Sequence, residues 1–235
     1  MIKTVLFDLD GTLLPMDQDL FIKAYFGGIG NYMQKHGFDG KEIVQTIFAG
    51  SNNMVNNDTN LTNEEVFWHT FINHMGNTRE FFESYFDLFY QIEYNKIKDV
   101  CGFNPDCKKV IEELKTLGLN LVVATNPVFP SIATRKRIEW AGLNLSDFKL
   151  YTTYENSYHC KPNLKYYEDI LNTLNLKAEE CLMVGNDVGE DMVASNLGMK
   201  VFLLTDCLIN QKNIDISIYP NGNFNDLLEY ITKLM

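Results

Sequence analysis

Val5-Leu6-Phe7-Asp8-Leu9-Asp10-Gly11-Thr12 is the stretch that decides the fold class of this 235-residue chain. Three apolar residues after Lys3-Thr4 read as a short buried strand, because a strand covered on both faces is a continuous apolar run rather than an alternating one. The run stops at Asp8, which puts Asp8 and Asp10 at the C-terminal end of the strand. Gly11 permits a sharp turn there, so both carboxylates can face one site above the sheet edge. The plainer alternative is an Asx-type turn in which the carboxylates only cap backbone amides.

Similar apolar runs recur at 119–124, 148–153, 182–184 and 201–204, with helix-like stretches at 106–117, 127–141, 162–174 and 189–198. A polar span, 205–223, leads to a last helix over 224–234. Strands alternating with helices of this length predict an α/β fold: a Rossmann-like, doubly wound, mostly parallel sheet with ligands gathered at its strand C-termini. Residues 15–99 break the rhythm. They carry no convincing buried strand and offer helices near 17–36, 40–50, 62–75 and 79–95. Thr62 followed by Glu65 has the spacing of a capping box. Phe82, Tyr85, Phe86, Phe89 and Tyr90 form an aromatic stripe that reads mainly as helical core, with a smaller share as a substrate lid. The expected organisation is a core made of 1–14 and 100–235, with a helical insertion at 15–99.

With 46% hydrophobic residues the chain can bury a substantial core, and Lys plus Arg of 20 against Asp plus Glu of 31 leave a net charge of −11. An acidic protein of this kind lacks the basic field of a nonspecific nucleic-acid binder, so no nucleic-acid partner is expected. The opening apolar run is too short for a signal h-region or a membrane span, and no membrane association is expected. Five cysteines, an odd number without a CxxC pair, read as free thiols and point to a reducing, cytoplasmic setting. Nothing in the sequence fixes the oligomeric state.

Asp187 and Asp191, in Val184-Gly185-Asn186-Asp187-Val188-Gly189-Glu190-Asp191, follow another predicted strand and should meet Asp8 and Asp10 at the same edge. Crowded carboxylates repel unless a cation sits among them, and an oxygen-only donor set suits Mg2+. Asp191 can alternatively cap the following helix. Thr125-Asn126-Pro127 ends a third strand at an expected helix N-terminus, where hydroxyl and amides can seat an anion. Lys161, before Pro162, balances charge beside the carboxylates. His69 and His74 are five apart and make no zinc pair, His159 is a weak candidate for substrate contact, and Arg135 and Arg137 read as solvated.

Asp8, Thr125, Lys161 and Asp187, in this order after successive strands, resemble the haloacid dehalogenase superfamily in its phosphatase-like branch. The resemblance covers essentially the whole chain, with 15–99 at the position of a helical type-1 cap. It implies a hydrolase in which Asp8 attacks phosphorus to give an aspartyl-phosphate and Asp10 is the general acid and base. It further implies that Thr125 holds a phosphoryl oxygen, that Lys161 neutralises Asp8 and the phosphoryl group, and that Leu9, Asp10, Gly11 and Asn126 complete the phosphate cradle. Asp8, Asp10 and Asp187 would bind Mg2+, with Asp191 in support. The second aspartate favours phosphorus chemistry over carbon–halogen cleavage, while a phosphomutase and a non-catalytic metabolite- or phosphoprotein-binding module stay open as alternatives. Six Lys plus Arg against 12 acidic residues across 15–99 favour a small phosphomonoester: phosphoglycolate, a sugar phosphate or a nucleoside monophosphate. No lysine there fits a Schiff-base motif, which weighs against phosphonate cleavage.

Overall fold

The computed structural model describes residues 1–235. Its sheet comprises β1 (Thr4–Phe7), β2 (Asn120–Val123), β3 (Leu150–Tyr151), β4 (Cys181–Gly185), β5 (Lys200–Leu204) and β6 (Asn221–Gly222), in the spatial order β3-β2-β1-β4-β5-β6. Every pairing is parallel. β1 lies between β2 and β4, with Phe7 opposite Val123 on one side and Val184 on the other. The chain leaves the three central strands at the same edge.

Successive residues of β1 supply the two faces. Val5 and Phe7 join a core of 44 buried residues, and Leu6 joins a second of 14 on the opposite face with Val122 and Met183. The alternation is the period of two that a strand dictates, applied to a strand apolar on both sides. Helices α1 (Gln18–Lys35), α2 (Gly40–Val55), α3 (Asn63–Met75) and α4 (Arg79–Gln91) form the expected helical stretch, followed by a 3-10 segment at Glu93–Val100. Their apolar faces belong to the same large core as Val5 and Phe7. Of the aromatic stripe, Phe82, Phe86, Phe89 and Tyr90 are buried. The chain returns to the sheet through α5 (Pro105–Thr116), and α6 (Ser131–Trp140), α7 (Leu164–Thr173) and α8 (Phe224–Leu234) complete the helical layers.

Three expectations need correction. The helix read at 127–141 begins only at Ser131, because Pro127 and Pro130 hold the residues before them out of the helical region; Glu155 caps the amide of Ser131 at 2.8 Å. Thr125 and Asn126 therefore lie in a loop, not at a helix N-terminus. The helix read at 189–198 is a 3-10 turn at Met192–Leu197, its approach tied up by Asp187 Oδ1, which accepts from the amides of Gly189 and Glu190 at 2.6 and 3.0 Å. Arg137 is wholly buried, not solvated, while Arg135 is exposed as expected. All five cysteines are free thiols, and Cys107, Cys160 and Cys181 are buried. No helix is long and apolar enough to cross a membrane.

Candidate active site

At the ends of β1, β2 and β4 a cavity of 230 Å³ is bordered by Asp8, Asp10, Thr125, Asn126, Asn186, Asp187, Glu190 and Asp191. β1 delivers Asp8 directly, and its amide continues the ladder to Val184 O at 2.9 Å. Gly11 then turns with φ of 87° and packs against the Asn186 side chain, which leaves no room for a Cβ. Thr12 ties the two loops together, donating from Oγ1 to Asn186 Oδ1 at 2.8 Å and to Asp8 Oδ2 at 3.2 Å.

Lys161 sits beneath this cavity, 1% exposed. Its Nζ donates to Asp8 Oδ1 at 2.8 Å and to Asp191 Oδ1 at 2.6 Å. Burial works against the ammonium charge, but the Asp191 and Asp8 carboxylates outweigh it and hold Lys161 well above its usual value. Asp191 has both oxygens engaged, since Oδ2 accepts from the Asp187 amide at 3.0 Å. It lies so close against Gly185 that any side chain at 185 would displace it. The Thr125 carbonyl accepts from Thr152 Oγ1 at 2.6 Å and Tyr166 OH at 2.8 Å, which fixes the loop after β2 and leaves its side chain to line the cavity.

Asp10 is held differently. Its Oδ2 accepts from Arg137 Nη1 at 2.6 Å, and the guanidinium lies 4.4 Å from the centre of the Phe129 ring. Burial pushes the Asp10 carboxyl up to about 6; Arg137 opposes the rise and Asp8 adds to it. Glu190 is pushed up to about 7 by burial, opposed by Lys161 and reinforced by Asp191, Asp187 and Asp8, and it accepts from Asn126 Nδ2 at 3.2 Å.

The donor set fits a hard divalent cation. Asp187 uses only Oδ1 within the chain, the buried Asp10 Oδ1 has no hydrogen-bond partner, and no His or Cys lines the cavity. No three or more His, Cys, Asp or Glu side chains close on one point, so an ion here would share its carboxylates with backbone carbonyls, water or substrate oxygens, as Mg2+ habitually does.

Of the residues singled out in the sequence, Asp8, Asp10, Thr125, Asn126, Asp187 and Asp191 border one cavity, and Lys161 is bonded to two of them. His159 instead pairs with Asp169 at 2.7 Å and lines no part of the cavity, and His69 and His74 are exposed on α3. Glu190 and Arg137 were missed. The signal for Arg137 lay in its spacing, four residues after Ala133 and four before Ala141, on the apolar stripe of α6.

The chain is 23% identical over 240 residues to pyrophosphatase PpaX of Bacillus mycoides strain KBAB4, covering 99% of this chain and 98% of that protein. Among solved structures, the 2-haloacid dehalogenase of Pseudomonas syringae pv. Tomato DC3000 superposes over 100% of both chains with a TM-score of 0.67 at 18% identity. A HAD phosphatase from Thermococcus onnurineus matches over 98% of both chains with a TM-score of 0.60 at 19% identity. At such identities the two structures speak for the fold alone. The family model for haloacid dehalogenase-like hydrolases matches residues 2–196, and by that match the chain belongs to the haloacid dehalogenase-like hydrolases.

Proposed function

We propose that this hydrolase is a Mg2+-dependent phosphatase of small phosphomonoesters, with an aspartyl-phosphate intermediate on Asp8. The supporting observation is the convergence of Asp8, Asp10, Thr125 and Asp187 on one cavity, with the buried Lys161 bonded to Asp8. Residues 1–14 and 100–235 act as the catalytic core in this reading, and 15–99 as the helical cap over it.

Asp8 attacks phosphorus through a carboxylate oxygen, and the bond from phosphorus to the ester oxygen breaks. Asp10 gives its proton to that departing oxygen. In the second half Asp10 takes a proton from water, the water oxygen bonds to phosphorus, and the acyl-phosphate bond to Asp8 breaks to release inorganic phosphate. Lys161 keeps Asp8 and the phosphoryl oxygens from repelling each other, and the Thr125 side chain with the Leu9, Asp10, Gly11 and Asn126 segments orients those oxygens. Mg2+ would be held by Asp8, Asp187 and the Asp10 backbone carbonyl, with Asp191 acting through Asp187; when bound it neutralises charge on the phosphoryl group.

Phosphate release from a panel of phosphorylated metabolites, with Mg2+ and with chelator, tests this. Mg2+-dependent release is expected, and Asp8→Asn is expected to abolish it while the protein stays folded, because Lys161 keeps Asp191 as its partner. Substantial release by that variant would remove Asp8 from its role. An isomerised substrate without released phosphate would mark a mutase instead.

A further inference from the structure

Beside the polar cavity lies a second one of 210 Å³, and the two share Ile22, Val128 and Phe129 as a common wall. Twelve of the 14 residues around the second cavity are hydrophobic, and none is Lys, Arg, His, Asp or Glu. We propose that this chamber takes the group esterified to the phosphate, and that this group is an uncharged, single-ring aromatic one; the proposal rests on the phosphatase reading above.

Size and chemistry both point there. Protein interiors close voids larger than a water molecule, so a chamber this large between packed helices and the loop after β2 is a feature the fold maintains. An apolar cavity of about 150 Å³ stays dry and accepts benzene. This one has room for one substituted ring. Its walls include Phe67, Phe86 and Tyr154, which offer ring edges and faces to an aromatic guest. The Tyr25 and Tyr90 hydroxyls bond to each other at 2.8 Å, and the buried Trp68 Nε1 has no partner. That leaves one unused donor for an acceptor atom on the ring. A second phosphate or a carboxylate would enter without a cation to meet it, and a polyol would strand its hydroxyls. Phosphoglycolate and sugar phosphates, expected from the sequence, therefore rank below an aromatic alkyl phosphate.

The test compares kcat/KM for benzyl phosphate with that for phosphoglycolate and glycerol phosphate; benzyl alcohol leaves about as readily as an ordinary alkyl alcohol, so the ratio reports binding. Benzyl phosphate should lead by about tenfold or more, and Phe48→Glu should remove most of that lead. Phe48 lines the chamber while 56% exposed, so the variant is expected to fold. Calorimetry with benzylphosphonate, which has no ester bond to break, should give binding about tenfold tighter than methylphosphonate, and the margin should vanish in Phe48→Glu. Phosphate release that favours the polar esters, or a ratio unmoved by Phe48→Glu, overturns the aromatic assignment and leaves the phosphatase intact. No release from any ester overturns the phosphatase reading and this one with it.

Discussion

The Arg137 guanidinium, buried on α6, is paired with Asp10, whose side chain is 20% exposed. Replacing Asp10 by Asn leaves a buried cation without a counter-charge, and breaking such a pair costs about 2–3 kcal/mol once the partial exposure of Asp10 is allowed for. Asp10→Asn should therefore lower the urea midpoint as well as turnover, whereas Asp8→Asn should leave the midpoint nearly unchanged. Equal midpoints for the two variants would show that Arg137 does not depend on Asp10. Residues at strand ends were legible in the sequence because an apolar run places its successor: Asp8, Thr125 and Asp187 needed no tertiary information. Arg137 and Glu190 reach the site through burial, which charge alone disguises, since a charged side chain is mostly a surface one.

Helix α3 shows the same division between local and long-range signals. Its capping box is local and forms as its spacing requires: Thr62 Oγ1 accepts from the Glu65 amide at 3.2 Å and Glu65 Oε2 from the Thr62 amide at 2.7 Å. Thr62→Ala should cost about 1 kcal/mol by urea denaturation, and a change below a few tenths would mean that other contacts fix the helix start. Those other contacts were invisible in the sequence. Asn63, fully buried, donates its amide to Ser157 O at 2.8 Å and its side chain to Pro127 O at 3.2 Å, which fastens α3 to two loops at the sheet edge. The α/β rhythm and helices α1, α3 and α5 follow from apolar periodicity, but the helix read at 127–141 lost its first turn to prolines, and the one read at 189–198 gave way to turns around Asp187. Two-residue β6 lay unread in a polar span because so short a strand has no period.

Across the whole molecule, one large core runs from the sheet into α1–α4, so cysteine accessibility reports on global unfolding. Burial pushes the Cys107 and Cys160 thiols up to about 12, which leaves almost no thiolate at pH 8. Iodoacetamide at that pH should modify the half-buried Cys207 first and reach Cys107 and Cys160 only as the protein unfolds. Peptide mapping that finds Cys160 modified in the native protein would reveal local opening under Asn63, which donates to its sulfur at 3.3 Å. Phe129 belongs to both cavities and covers Arg137, so one side chain is answerable to both the chemistry and the fit of its guest. For selection, or for a protein engineer, that makes position 129 a poor place to begin: a change of guest made there also disturbs Asp10. New substrate ranges should instead arise at Ile47, Phe48 and Ser51, which border the apolar chamber alone and can drift without reaching the reacting groups.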